Sequence, residues 1–162
     1  MNYVDFIKEL DVHLKKYFEL QKEHICCRIG CSSCCEKGDY PVSEIELEYM
    51  MQGYISLDNG TKTVVQDNIK NMQKGGVCPF LIDKKCSIYP YRPIICRTHG
   101  LAYVLKNNTV KLPYCTNEGK NFSDLYIDGE FIGEPIKENL DTQEILKNSG
   151  EIRNLYDWLK NN

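Results

Sequence analysis

Apolar residues at the start of the chain recur at steps of three and four. Tyr3, Phe6, Ile7, Leu10, Leu14, Tyr17 and Phe18 fall on one face, while Lys8, Glu9, Lys15, Lys16 and Glu19 lie mostly elsewhere. This periodicity predicts one helix from residue 2 to about 24, with its stripe packed on a core and a partner-binding face as the alternative. Ser43-Glu44-Ile45-Glu46 has the form of a capping box and opens a second helix over about 44–55. Asp58-Asn59-Gly60 reads as a turn before a third helix, about 61–73, that stops at Gly75-Gly76. Residues 77–91 read as two short strands around Asp83-Lys84-Lys85, and Pro93 suits the first turn of a short helix carrying Ile94 to Arg97. Residues 101–112 predict a hairpin, with Asn107-Asn108 able to take the positive φ of a tight turn. The pattern then turns helical again. Asp141-x-x-Glu144 caps one helix, and Ile152, Leu155, Tyr156 and Leu159 stripe a last one.

These elements predict an α+β fold: one small, mostly helical domain over 1–162 with one or two short hairpins. There is no internal repeat and no low-complexity segment. With 162 residues, 42% hydrophobic and 27% charged, the chain has a globular composition and room for one core. Lys and Arg number 20 against 23 Asp and Glu, a formal net charge of -3 with no basic run. Nucleic acid and anionic membrane surfaces are therefore not expected partners. No apolar stretch reaches the ~20 residues of a membrane span. The N-terminal segment carries charges throughout and lacks a signal peptide's basic start and apolar core, so a cytoplasmic location is expected.

Nine cysteines change this picture, and all lie between Cys26 and Cys115. Five fall within ten residues as Cys26-Cys27-x3-Cys31-x2-Cys34-Cys35, and Cys78-x7-Cys86-x9-Cys96 and Cys115 follow. In a reducing compartment such density reads as metal binding or redox chemistry before disulfides. Thiolates are soft donors, and four of them suit Zn²⁺ or an iron–sulfur cluster. The tight Cys31–Cys34 turn and a Cys78/Cys86 pair at the two ends of a hairpin are preformed half-sites. The adjacent Cys34-Cys35 pair makes two separate zinc knuckles awkward, which tilts the reading toward [4Fe–4S].

Cys27-x3-Cys31-x2-Cys34 has the spacing of radical-SAM enzymes. However, Ser33 stands where that family usually carries an aromatic residue, and the chain has no room for its partial barrel. A broader resemblance covers about 27–97. Cys27-x3-Cys31-x2-Cys34-Cys35, Cys78-Pro79-Phe80-Leu81 and Cys86-Ser87-Ile88-Tyr89-x-x-Arg92-Pro93-x-x-Cys96-Arg97 together resemble the YkgJ-type cysteine-cluster family, whose members are described as zinc- or iron-chelating. The resemblance implies a shared set of about eight cysteines, with Cys27, Cys31, Cys34, Cys35, Cys78, Cys86 and Cys96 matching its pattern and Cys115 taken as the eighth. Cys26 falls outside it. A similar cysteine region in the longer flagellin lysine N-methylases implies an iron–sulfur cluster there. It leaves open an enzyme acting on a protein substrate, beside a metal protein with an electron-transfer, sensing or structural role.

Thiolates around a metal leave net negative charge that a buried site must offset. Arg92 and Arg97 are placed to supply that charge and N–H···S bonds, with a plain ion pair as the alternative. His24 and His99 lie near cysteines and are secondary ligand candidates, while His13 reads as solvated. Glu36 and Asp39 are either carboxylates beside a metal or loop charges. No hydrolase triad or phosphate-binding glycine loop is present.

Overall fold

A computed structural model describes residues 2–28, 30–147 and 150–161 of the chain. The fold is α+β. Helices and short antiparallel strand pairs alternate along the chain, and the backbone groups into two compact units, 1–28 with 97–145 and 29–96 with 146–162.

In the first unit, α1 (Tyr3–Gln21) starts where Asn2 accepts the Asp5 N–H at 2.9 Å, and it buries Ile7, Leu10 and Leu14. Its last residue, Gln21, exchanges two hydrogen bonds with the Ala102 backbone, donating at 3.0 Å and accepting at 3.1 Å. A 3-10 turn over Lys22–His24 completes the predicted span. The expected hairpin is present as β4 (Tyr103–Val104) and β5 (Val110–Lys111), with Asn108 at φ +62°. A second hairpin, β6 (Tyr126–Ile127) with β7 (Glu130–Phe131), lies in the part of the chain that the sequence reads as generally helical. Its turn residues Asp128 and Gly129 both have positive φ, as the hairpin geometry requires. The short α5 (Thr142–Ile145) follows Asp141, whose side chain accepts the Gln143 N–H at 2.9 Å.

In the second unit, β1 (Pro41–Ser43) runs into α2 (Glu44–Ile55), and the Ser43/Glu46 capping box forms in full. The next helix, α3 (Asn59–Asn71), begins earlier than predicted because Asp58 accepts the Thr61 N–H at 2.9 Å. Beyond it, β2 (Leu81–Ile82) pairs with β3 (Lys85–Cys86) through Asp83 and Lys84, both at positive φ. Pro93 leads into α4 (Ile94–Thr98). The last elements are β8 (Ile152–Asn154), antiparallel to β1, and α6 (Leu155–Lys160). Ile152 therefore sits in a strand and not on the last helix, because its backbone pairs with Ser43. Val42, Met50, Val65, Met72, Phe80, Ile88, Leu155 and Trp158 form the core, each full side-chain burial worth roughly 1.5–3 kcal/mol. The Trp158 indole also donates to the Val42 carbonyl at 2.7 Å.

Candidate metal centre

The second unit gathers thiols from three separate stretches. Cys34 and Cys35 open a 3-10 turn (Cys35–Lys37) that the Cys35 and Glu36 N–H groups anchor to the Ser32 carbonyl at 2.9 and 3.0 Å. The Cys78 N–H donates to the Cys35 carbonyl at 2.8 Å, which locks the second stretch onto the first. Gly38 makes this approach possible. A Cβ there would stand 2.4 Å from the Cys78 Cβ and 2.9 Å from the Cys35 oxygen. Cys86 ends β3, and Cys96 lies in α4. The hairpin partner of Cys86 is Leu81, so Cys78 precedes the hairpin and reaches the site by its bond to Cys35, not from the opposite strand end.

The thiols of Cys34, Cys78, Cys86 and Cys96 act on one another electrostatically. Burial, followed by the charges of Cys78, Cys34 and Cys86, pushes Cys96 well above the ordinary thiol range. Burial pushes Cys78 up to about 12, with Cys86 and Cys34 adding to it. Burial raises Cys86 too, against the pull of Arg92. Cys34 is raised first by its contact with Cys35, sulfur to sulfur at 4.0 Å, and then by burial. In their protonated form these thiols carry no negative charge for Arg92 to balance. A divalent cation among them reverses the balance and draws the protons off.

Arg92 is held at this site. Its guanidinium lies 3.6 Å from the Tyr89 ring centroid, donates to the Tyr89 carbonyl at 3.0 Å and reaches the Cys96 carbonyl at 3.4 Å. Its charge favours the thiolate forms of Cys86 and Cys96. Arg97 belongs to the first unit, where one terminal nitrogen of its buried guanidinium donates to both Asp11 oxygens at 2.7 and 2.6 Å. Of the loop carboxylates, Glu36 accepts the Ser32 hydroxyl at 2.7 Å, and Asp39 accepts the Gly75 and Tyr156 N–H groups, each at 2.8 Å. Asp39 thus ties backbone segments together, while Glu36 holds a neighbouring side chain.

The other cysteines are distributed differently. Cys31 is exposed, with its sulfur 3.9 Å from the Ser33 hydroxyl. Cys26 and Cys27 are exposed in the first unit, and Cys115 is buried there in the 3-10 turn Tyr114–Glu118. His24 Nδ1 pairs with Asp124 at 2.6 Å, and His13 Nε2 with Glu138 at 2.7 Å. Burial, helped by Lys111, lowers His99 to about 4, so its imidazole is neutral. Glu46, Gly38, Asn121 and Gly100 were not among the candidates read from the sequence. Only Glu46 carried a local signal, its place in the capping box.

Among the described residues, no three His, Cys, Asp or Glu side chains already surround one point as ligands of a single ion. The donor chemistry nevertheless fits a soft metal: four mutually interacting thiols, a fifth beside them, and a cation to offset their charge. Such a site defines a cysteine-based metal-chelating protein. The chain belongs to the CxxCxxCC family, whose profile, described as "Putative zinc- or iron-chelating domain", matches residues 26–116, more than half of its length. No curated protein and no solved structure matches it. No helix among the described residues is long and apolar enough to cross a membrane.

Proposed function

We propose that the protein holds a metal centre on Cys34, Cys78, Cys86 and Cys96, with Arg92 offsetting the thiolate charge. The observation that carries this reading is that the fold brings thiols from distant parts of the chain together, with the Cys78 N–H bonded to the Cys35 carbonyl at 2.8 Å and the thiols of Cys34, Cys78, Cys86 and Cys96 near enough to raise one another's pKa. Cys27, Cys31, Cys35 and Cys115 are proposed as further metal-binding thiolates, and Arg97 as a further source of balancing charge. A [4Fe–4S] cluster is the group this donor set suits best. It is an all-sulfur set, and a four-iron core takes its thiolates at separate corners instead of closing them on one ion. When bound, such a cluster supplies one-electron chemistry, which gives the protein an electron-transfer or sensing role.

The test is strictly anaerobic purification followed by counts of iron, zinc and acid-labile sulfide per chain. Iron and sulfide near four each support the cluster. Zinc alone moves the reading to a structural or zinc-carrying site on the same four thiols, and no metal at all overturns the proposal.

A further inference from the structure

Within the first unit, Asn121 is 1% exposed and makes three hydrogen bonds. Its Oδ1 accepts the Cys26 N–H at 2.8 Å. Its Nδ2 lies 3.0 Å from the Gly100 carbonyl and 3.2 Å from the Cys27 sulfur. The orientation of the amide is forced. A backbone N–H can only donate and a carbonyl can only accept, so the oxygen must face Cys26 and the NH₂ must face Gly100. The second hydrogen of that NH₂ is then directed at sulfur, and Cys27 is required to act as an acceptor. A thiolate, free or bound to a metal, is the form of cysteine that accepts best.

Gly100 completes the niche. It has φ +102°, and a Cβ there would stand 3.1 Å from the Cys27 sulfur and 3.2 Å from Asn121 Nδ2. A side chain there would be strained at this φ and would push the sulfur or its donor aside by a few tenths of an ångström. Cys27 itself is an exposed residue. One flank of its sulfur is therefore fixed by a buried amide.

We propose that Asn121 is a positioning residue for metal binding: it fixes the Cys26–Cys27 backbone and donates to the Cys27 sulfur, presenting that sulfur as a ligand. This rests on Cys27 binding metal, as proposed above. Donors of this kind, placed behind the ligand, change metal affinity by about 10–100-fold when removed.

The test uses the full chain loaded with Cd²⁺, a soft and spectroscopically visible probe. In ¹⁵N-labelled wild type, one Asn121 side-chain proton splits when the metal is ¹¹³Cd and not when it is spin-free cadmium, because the hydrogen bond transmits coupling through sulfur. Asn121→Asp keeps the shape and the acceptor for Cys26 but loses the donor, and it should release the Cys27-bound cadmium to a chelator about 10–100-fold faster. Cys27→Ser runs beside them. If Cys27→Ser leaves the ¹¹³Cd spectrum unchanged, Cys27 is not a ligand and the underlying reading fails. If Cys27→Ser abolishes a cadmium signal while the wild-type Asn121 protons show no splitting, the role of Asn121 alone is overturned. The wild-type spectrum decides this even where Asn121→Asp does not fold.

Discussion

Glu46 offers a quantitative check on how the fold presents Cys96. Its carboxylate is fully buried, with 0% exposure. One oxygen accepts the Ser43 N–H at 2.8 Å and the Ser43 hydroxyl at 3.0 Å, and the other accepts the Ile94 N–H at 2.7 Å. One side chain thus caps α2 and fixes the start of α4, two residues before Cys96. Glu46→Ala leaves the Ser43 and Ile94 N–H groups buried and unpaired, at roughly 1–3 kcal/mol each, so the total is about 2–6 kcal/mol. That is a large part of a typical folding free energy of about 5–15 kcal/mol. Glu46→Gln keeps the volume but aims an NH₂ at one of the two donors, and about half that loss is expected. Urea unfolding of the metal-free protein, followed by circular dichroism, reads both values, and hydrogen exchange at the Ile94 amide reports the local bond. An Ala variant that loses less than ~1 kcal/mol, with Ile94 exchange unchanged, refutes the assignment.

Further expectations concern the thiols. In the metal-free protein, burial raises Cys78 from 9.0 to about 12. The unfolded chain then releases this proton first, so stability is intact below about pH 9 and falls as pH rises toward 12, by roughly 3 kcal/mol at pH 11 from this group alone. Denaturant midpoints from pH 8 to 11 check the sign, and a midpoint that rises with pH contradicts it. Gly38→Ala forces a methyl group against the Cys78 Cβ; a cost of about 1–3 kcal/mol and a loss of metal stoichiometry are expected, read by unfolding and elemental analysis. Cys26→Ser should leave the metal content unchanged while Cys96→Ser lowers it, and equal losses from both variants would count against the ligand set.

How much of this was legible in the sequence depended on how local its cause was. The 44–55 helix appears as Glu44–Ile55 because Ser43 and Glu46 sit three residues apart and complete the cap without outside help. The two predicted hairpins depend on turn residues that tolerate positive φ, and Asp83, Lys84 and Asn108 adopt it. Asp128-Gly129 carries the same local signal for β6–β7. Other features had no local cause. Ile152 matches a helical stripe in sequence, but pairing with Ser43 from far along the chain makes it a strand residue. The CxxxCxxCC spacing marked where thiols cluster, yet it could not show that Cys78 arrives by a backbone bond to Cys35. Nor could it show that neighbouring Cys34 and Cys35 keep their sulfurs 4.0 Å apart instead of splaying them. Asn121 and Gly100 are ordinary letters in the sequence, and their meaning comes from what folding brings beside Cys27.

The central claim is that the half-buried Cys34, Cys78, Cys86 and Cys96 bind one inorganic centre through their sulfurs. X-ray absorption at the metal edge of anaerobically loaded protein measures this most directly. The account predicts a first shell made only of sulfur, about 2.3 Å from the metal, that loses sulfur when Cys96 is replaced by serine. A first shell of nitrogen and oxygen, or a sulfur shell indifferent to Cys96→Ser, would contradict it.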